Sequence, residues 1–598
     1  MGAFKSAVIT TKGQALLAKV VAGTTTLNFT MVKISEQKLT GDLASLTGIG
    51  TIKQSEKIAS VVRQNGSNVK VSASFSNQTL GQGYYVRNIG LYATDPQEGE
   101  ILYSISVADE TTATADWMPP FNGIGVSSLL IDLITAVSNA SSVSVTVDPS
   151  AGATVAQITN LQEQIDDVRT FVGYEEDDVY GVEVDFTNNK FTRLAGAENL
   201  TAGADFSALA PWNRRRCIVA NDGTVLAYRG ETGYSETGKT SVALTVNGVE
   251  YPANTIVQVM VEQPVIYTKV VPVKAKLATS GRGKQLSKAR YYISATPKTG
   301  FKVNDAFKDN NGIIQNNIYL PAFEGSIYDT SASAYLKSDE QVADFATDLL
   351  CSIAGAKPAS GLTQSLTRAN TRKLCTNRGA GWQLHNIFAL SVTQWLILVE
   401  YASFDSQGKI GQGVSTFTDD GSTNMSLVTG ATSGIGNGSG IPDGGENGKC
   451  SVSYRGEENL WGNIWTWLDG INHYAKDAST DTVFVKGYGS MTDDTSNGYS
   501  MFDANAIRDY GYQSAFGYDE EYPYLFLPTE HAGSSSLPIG DYIWNATTSL
   551  GFLVARLGGR WDSGSSCGAW ALYLDSGSSA RGRSVGGRLL YVPQSKIA

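Results

Sequence analysis

The C-terminal tail carries the pattern from which the rest of the chain is interpreted. It reads Arg-Leu-Gly-Gly-Arg-Trp from Arg556 to Trp561 and closes with Gly-Gly-Arg-Leu-Leu-Tyr from Gly586 to Tyr591. Between the two glycine pairs lie small and polar residues of mixed type, Asp562–Val585. Loops that carry recognition have this composition, and so do loops that tolerate almost any sequence. The remaining features of the chain have to decide between the two.

Composition predicts a β-rich, multidomain protein. A chain of 598 residues is long enough for several domains. With 63 glycines, 28 tyrosines and 20 phenylalanines but only 16 prolines, strands and tight turns are favoured. The net charge is −11, and the longest basic run is Arg214–Arg216, which we interpret as a solvated loop. Nucleic-acid binding by a broad basic face is therefore not predicted.

Cysteine and histidine spacing gives no support for a metal or disulfide framework. The five cysteines contain no CxxC pair, and the three histidines add no ligand spacing. We expect free or buried thiols and predict no cofactor. Calcium stays open, because no acidic cluster near the C-terminal tail defines a site. The apolar run Asn386–Val399 is too short and too polar to span a membrane, so no membrane insertion is expected.

The first 150 residues predict a compact β-rich module. Thr11–Val21 is expected to form a short helix, and a final strand is expected at Ser142–Val147. Three further strand-like stretches are separated by Gly, Asn and Ser turns. They are Ile58–Val62, Val69–Phe75 and Tyr84–Tyr92.

Residues 151–175 predict a short coiled coil. Apolar or β-branched residues follow an a/d heptad pattern from Thr154 to Val172, and most intervening positions are polar. A single amphipathic linker helix is the alternative, because the seam covers less than three heptads. The seam alone does not settle the oligomer.

Catalytic motifs are weak. Glu457 and Glu458 are paired carboxylates, but adjacent positions rarely converge on one glycosidic bond. Trp461, Trp465 and Trp467 are more typical of a core or aromatic platform than of a cofactor site. The glycine-rich run Gly434–Gly440 lacks the lysine of a phosphate loop and predicts a surface loop. We therefore do not predict an enzyme.

Three motifs appear in a fixed order and together resemble a known family. Asn459–Trp467, Arg556–Trp561 and Gly586–Leu589 are similar to the C-type-lectin-like fold shared by formylglycine-generating enzymes and the variable proteins of diversity-generating retroelements. Gln394–Ala402 is similar to the central helix of that family. The resemblance covers Val182 to the C-terminus and implies a lectin-like domain over residues 176–598, with its ligand-binding tip at 558–589.

The resemblance favours the variable proteins over the oxidases. The oxidases need two cysteines near the end, whereas this chain has only Cys567 between Arg556 and Tyr591. In the variable proteins, mutagenesis directed at template adenines usually rewrites Asn codons that end in a pyrimidine. Randomising the first two bases of such a codon cannot give Lys, Glu, Gln, Met or Trp. None of the first four occurs from Arg560 to Ser584, while Trp561 and Trp570 are present. The two tryptophans are accordingly expected to be fixed scaffold.

Strand alternation separates a variable face from a scaffold. Ala571, Tyr573 and Asp575 are expected to face solvent, and Trp570, Leu572 and Leu574 the core. The same alternation is expected further on, where one face has Ala580, Gly582 and Ser584 and the other has Arg581, Arg583 and Val585. The family pattern GGxWxxG adds positions near Trp561. The predicted ligand-binding positions are Arg560, Asp562, Ser563, Ser566, Ala571, Tyr573, Asp575, Ser576, Ala580, Gly582 and Ser584. The predicted scaffold positions are Gly558, Gly559, Trp561, Trp570, Gly586 and Arg588.

The N-terminal block resembles the virion-attachment domain of bacteriophage tail fibres. The resemblance rests on Phe4–Leu17 and Tyr85–Ala93. It implies a virion tail fibre, usually trimeric, that contacts phage tail or baseplate proteins at one end and a host surface protein or glycan at the other. The fold class is thus a multidomain, β-rich α+β chain with an attachment domain, a short coiled coil and a lectin-like domain. A glycan-cleaving or formylglycine-type enzyme and a purely structural fibre segment are the alternatives.

Overall fold

The chain forms two compact units, Met1–Ile165 and Asp166–Ala598, here called the N-terminal and C-terminal units. β-Strands dominate both, as the composition predicts. The predicted coiled coil of residues 151–175 lies outside the described residues, apart from Tyr174. The computed structural model describes residues 4–63, 68–111, 114–121, 127–137, 143–145, 174, 178–339, 343–362 and 365–595.

The described part of the N-terminal unit contains three sheets and one α-helix. One sheet has the strand order β1-β8-β7-β2-β11, with β3 also paired to β2; another has the order β10-β5-β4; and β6 pairs with β9. The strands are β1 Val8–Ile9, β2 Leu27–Ser35, β3 Ile52–Lys57, β4 Ser60–Arg63, β5 Asn68–Ser76, β6 Tyr84–Val86, β7 Asn88–Asp95, β8 Gly99–Val107, β9 Asp116–Met118, β10 Ser128–Ala136 and β11 Val143–Val145.

Helix α1 occupies Thr11–Val21, the range predicted from the sequence. Thr10 caps it, because its hydroxyl accepts a hydrogen bond from the Gly13 N–H at 3.0 Å. Leu16 and Val20, one turn apart, are buried against the sheets. The predicted strands are also present, although the stretch from Tyr84 divides into β6 and β7, and the last predicted strand is described only over Val143–Val145, where it forms β11.

The described residues of the C-terminal unit contain four α-helices, and 3₁₀ turns occur at Asp305–Phe307 and Gly564–Ser566. The helices are α2 Ala204–Ser207, α3 Arg368–Thr376, α4 Ile387–Tyr401 and α5 Ser406–Lys409. Its first strands are β12 Val179–Asp185, β13 Lys190–Ala195, β14 Arg215–Ala220, β15 Val225–Tyr228, β16 Leu244–Val246, β17 Val249–Tyr251, β18 Val257–Pro264, β19 Tyr267–Leu277, β20 Lys284–Ser294, β21 Lys302–Val303, β22 Asn317–Pro321, β23 Gly325–Asp329, β24 Ala334–Leu336, β25 Leu349–Ser352 and β26 Trp382–Leu384. Its last strands are β27 Ser453–Tyr454, β28 Glu457–Glu458, β29 Trp465–Ala475, β30 Asp481–Val485, β31 Ser500–Met501, β32 Tyr510–Tyr512, β33 Ala515–Tyr518, β34 Pro528–Glu530, β35 Tyr542–Trp544, β36 Gly551–Leu557, β37 Leu572–Ser576, β38 Val585–Gly586 and β39 Leu589–Tyr591.

The three largest sheets in the described part of the C-terminal unit have seven, six and eight strands; smaller sheets are formed by β16 with β17, by β24-β23-β25 and by β27 with β28. The first has the order β13-β12-β20-β19-β21, with β33 paired to β20 and β34; the second has the order β15-β14-β18-β22-β39-β26. The third has the order β31-β30-β29-β36-β37-β35-β32, with β38 paired to β29. This third sheet, called the recognition sheet below, contains β37, which is the strand within the C-terminal window Arg560–Ser584.

Helix α4 lies in the largest hydrophobic core of the C-terminal unit. The Asn386 side chain caps it by accepting from the N–H groups of Phe388 and Ala389 at 3.0 and 2.9 Å. Its side chains are buried on all sides from Ile387 to Glu400, so it is a core helix rather than an amphipathic surface helix. Within the described residues, no helix combines the length and the apolar character required to cross a membrane.

Candidate functional site

Strand β37 lies inside the recognition sheet, between β36 and β35. Its side chains alternate as the sequence predicts: Leu572 and Leu574 are buried, whereas Tyr573 and Asp575 are half-buried. The expectation that Ala571 faces solvent is wrong, because its side chain is fully buried just before the strand begins. Ser576 is also buried, and its hydroxyl accepts a hydrogen bond from Arg556 at 2.5 Å.

The first glycine pair makes the turn that leaves β36. Gly558 and Gly559 both have left-handed backbone conformations, with φ of 95° and 91°. A Cβ on Gly559 would lie 2.3 Å from the sulfur of Cys567, and one on Gly558 would lie 2.7 Å from the carbonyl oxygen of Leu460. Both positions therefore require glycine for backbone conformation and for space.

Trp561 anchors the window to a loop far away in the sequence. Its side chain is fully buried, and its indole N–H donates to Asp419 Oδ1 at 3.0 Å. The other oxygen of Asp419 accepts from Arg583. The guanidinium groups of Arg560 and Arg583 lie 5.7 and 5.5 Å from the indole ring. The tryptophan thus holds together both ends of the window and the Asp419 loop.

Arg560 organises the polar surface beside Trp561. Its Nε and Nη2 donate to the two oxygens of Asp562 at 2.6 and 3.0 Å, and its Nη1 donates to Ser584 Oγ at 3.1 Å. The Arg560 backbone N–H donates to Ser563 Oγ at 3.2 Å. The side chains of Arg560 and Asp562 remain 32% and 20% exposed. This fork is accessible to a ligand and already oriented.

The predicted ligand-binding residues divide by accessibility. Ala571, Ser576 and Ser584 are buried. The strand alternation expected over 580–584 is wrong, because this segment is a loop before β38 and its side chains do not follow a two-residue period. The half-buried members are Arg560, Asp562, Ser563, Ser566, Tyr573, Asp575, Ala580 and Gly582.

Hydrogen bonds to the carboxylates of Asp419 and Asp420, beside the window, favour their ionised forms. Hydrogen bonds from the Thr423 side chain and from nearby backbone N–H groups lower the pKa of Asp420 to about 2. The hydrogen bond from Arg583 lowers the pKa of Asp419. Burial raises the pKa of Asp575 instead. At neutral pH the Asp419 loop therefore presents negative charge beside the two arginines.

A group of buried polar side chains, here called the polar layer, is hydrogen-bonded to the start of the window. It consists of Glu324, Asn459, Asn463 and Arg588. The Arg588 guanidinium is fully buried and donates to the carbonyl oxygens of Glu458 and Asn459 at 2.8 and 3.2 Å. Asn459 and Asn463 donate to Glu324 Oε2 at 3.1 and 2.7 Å, and burial raises the pKa of Glu324 to about 8.

The polar layer is joined directly to the window. The backbone N–H of Trp561 donates to the carbonyl oxygen of Asn463 at 3.2 Å. Asn459 and Asn463 have φ of 50° and 58°, a left-handed conformation that asparagine adopts more readily than most residues. The sequence motif Asn459–Trp467 thus places its asparagines below the window. All six predicted scaffold positions are buried: Gly558, Gly559, Trp561, Trp570, Gly586 and Arg588.

The paired carboxylates of β28 have structural partners. Glu457 accepts from Arg214 and from Thr393, both at 2.7 Å, and Glu458 accepts from the N–H groups of Gly430 and Thr432, both at 2.7 Å. Both glutamates are fully buried. In this conformation neither can contact a substrate that approaches from solvent.

The interpretation of Arg214–Arg216 as a solvated loop is wrong. Arg214 and Arg216 are buried, and only Arg215 is exposed, at the start of β14. Arg216 donates to Glu236 at 3.0 Å and to the carbonyl oxygen of Gly456 at 2.9 Å. The run is basic in sequence, but its charges are neutralised inside the fold.

The described residues contain no group of three His, Cys, Asp or Glu side chains that could hold a metal ion. All five cysteines are free, and all but Cys450 are buried. Burial raises the pKa of the Cys567 thiol, which lowers its reactivity as a nucleophile. The chemistry offered by the window is hydrogen bonding, charge and aromatic contact.

Sequence reasoning missed the partners that come from other segments. Asp419 contacts Trp561, Arg556 contacts Tyr573 at 3.9 Å from its ring, and Trp544 stacks on Tyr573 at 6.1 Å. Periodicity along one strand gives no information about which side chains its neighbours contribute. Knowledge of which residues are paired on neighbouring strands would have identified Arg556 and Trp544 as the partners of Tyr573.

No protein-family model matches the sequence, and no curated protein matches it. Among solved structures, the Major Tropism Determinant M1 variant is similar, with 14% identity over 66% of this chain and 74% of that chain, at a TM-score of 0.21. The Major Tropism Determinant U1 variant has 13% identity over 68% of this chain and 77% of that chain, also at a TM-score of 0.21. A TM-score of this size does not establish a shared fold.

Proposed function

We propose that this chain is a phage tail-fibre protein whose C-terminal unit binds a ligand on the surface of a host bacterium. One observation carries the proposal. Accessible polar and aromatic side chains, led by Arg560, Asp562 and Tyr573, are mounted on a framework of glycine turns, buried tryptophans and a buried polar layer. Surface residues can change on such a framework without unfolding it, because little of the packing depends on them.

The proposal extends to how the face varies and how the chain is arranged in the virion. The accessible window positions would be rewritten by a diversity-generating retroelement on a C-type-lectin-like domain. The N-terminal unit would attach to phage tail or baseplate proteins, and residues 151–175 would form a short coiled coil in a homotrimer. Three copies of the face would raise adsorption through avidity.

A binding experiment tests the function. The triple variant Arg560→Ala, Asp562→Ala, Tyr573→Ala is compared with the unaltered chain for binding to intact cells of the strain on which the phage grows. Lys190→Ala, an exposed change elsewhere in the C-terminal unit, is the control. We expect the triple variant to lose cell binding while it keeps a cooperative unfolding transition, with a midpoint lowered by the loss of the Tyr573 ring contacts. Binding equal to that of the control would refute the proposal.

The DNA that flanks the gene tests whether a retroelement diversifies the window. We expect a near-copy of the Trp561–Gly586 coding region beside a reverse-transcriptase gene, with mismatches confined to adenines of the copy. A flanking region without such a copy would refute diversification by a retroelement. The proposed binding function would then still be tested by the cell-binding experiment.

A further inference from the structure

A row of aromatic side chains extends from the window across the recognition sheet. Tyr573 on β37 is paired in register with Trp544 on β35, and Tyr542 on β35 is paired with Tyr512 on β32. Tyr542 and Trp544 are two residues apart and share one face of their strand. We call these four residues, Tyr512, Tyr542, Trp544 and Tyr573, the aromatic terrace.

Ring contacts join the whole terrace. Ring centroids are 5.1 Å apart for Tyr512 and Tyr542, 4.6 Å for Tyr542 and Trp544, and 6.1 Å for Trp544 and Tyr573. Buried Trp465 packs edge-on against Trp544 at 5.2 Å. Rigid side chains of this kind lose little conformational entropy when a partner binds.

The terrace continues the same surface as the polar part of the window. The hydroxyls of Tyr512 and Ser565 are 2.7 Å apart, which connects the terrace to the 3₁₀ turn of the window. At the edge strand, Tyr510 is 45% exposed and its hydroxyl donates to Asp575 at 3.1 Å. All four terrace rings are half-buried, so each has an accessible part.

Three of the four terrace residues lie outside the Arg560–Ser584 window. We propose that Tyr512, Tyr542 and Trp544 form a constant half of the binding face, which supplies affinity while the window supplies selectivity. This inference rests on the proposed function, because it assigns further residues to the same ligand.

The chemistry of the terrace fits a protein partner. Its ring planes are inclined to one another by 84°, 46° and 27° along the row, so they present mixed edges and faces rather than one flat stack for a sugar chain. Clefts of about 460, 210 and 850 Å³ lie elsewhere in the C-terminal unit, and no terrace residue lines them. Tyrosine, tryptophan and arginine together are the residues enriched at the centres of protein interfaces.

The test compares terrace variants with a matched aromatic variant. Tyr542→Ala and Trp544→Phe are made in two chains that differ only in their accessible window residues and that bind two different bacterial strains. Tyr474→Ala, an aromatic residue of β29 that is 41% exposed, is the control. We expect each terrace variant to weaken binding to both strains by about tenfold or more, as for interface hot spots, with unfolding curves close to that of the control.

Cell treatments identify the partner class. We expect binding to be lost on cells treated with proteinase K and kept on cells treated with periodate. Binding that survives proteinase K and is lost after periodate would assign a glycan and overturn the protein partner.

The two proposals fail in different ways. If the window variants lose binding while the terrace variants keep it, the constant half is refuted and the proposed function stands. If window variants bind like the unaltered chain, the proposed function itself is refuted.

Discussion

The exposed window and the polar layer below it use the same kinds of groups for opposite purposes. In the window, Arg560 and Asp562 form a fork with side chains 32% and 20% exposed. In the layer, the Arg588 side chain is 0% exposed, and its guanidinium donates to three backbone carbonyl oxygens. Exposed ion pairs contribute about 0–1 kcal/mol, whereas breaking a buried charged contact costs about 3–5 kcal/mol. Burial therefore decides which residues can vary and which cannot.

The largest expected effect comes from removing the buried arginine. Arg588→Met should lower the free energy of unfolding of the C-terminal unit by about 3–5 kcal/mol, because three carbonyl oxygens lose their donor. Urea unfolding followed by tryptophan fluorescence measures it. Arg581→Met, at an exposed position of the window, is the matched control and should change little. Equal stabilities of the two variants would contradict the contrast between layer and window.

A smaller loss is expected at the glycine turn that joins the two regions. Gly559→Ala places a Cβ 2.3 Å from the Cys567 sulfur at a φ of 91°. Backbone strain and overpacking together should cost about 2–4 kcal/mol. Gly577→Ala is the control, since a Cβ there meets nothing within 4 Å and its φ is not left-handed. Thermal unfolding of both variants checks the prediction, which fails if Gly577→Ala is the more damaging change.

The free energy of unfolding should depend on pH because of Glu324, a member of the polar layer. Its pKa is raised from 4.5 to about 8 in the folded chain, so the fold favours the protonated form. Between these two values the folded state binds more protons than the unfolded state, and stability falls as pH rises through this interval. Glu324→Gln should remove this contribution. Unfolding midpoints that run parallel for the variant and the unaltered chain across the interval would disprove it.

The smallest effect on stability should occur in the window itself. Asp562→Asn weakens the fork with Arg560 and should change the free energy of unfolding by less than about 1 kcal/mol, since both side chains contact solvent. Binding to host cells should nevertheless fall. Parallel measurement of unfolding and cell binding tests this separation, and a large loss of stability would place Asp562 with the layer.

Sequence patterns predicted local structure where local contacts create it. Helix α1 occupies the predicted range Thr11–Val21, and the structure shows that a local contact, the Thr10 cap, fixes its start. The alternation over Leu572–Asp575 followed from strand geometry. The same reasoning failed at Ala571 and at 580–584, because neither lies within a regular strand. Periodicity holds only where the backbone is regular.

Local residue order is enough to specify the β-rich class, the glycine turn at Gly558–Gly559 and the apolar face of β37, since backbone conformation and alternation act over a few residues. The burial of Arg214 and Arg216, and the contact of Asp419 with Trp561 across 142 positions of sequence, arise from long-range packing. A charge is stable inside a protein only when a partner is brought to it. Such partners come from distant segments, and the fold alone brings them together.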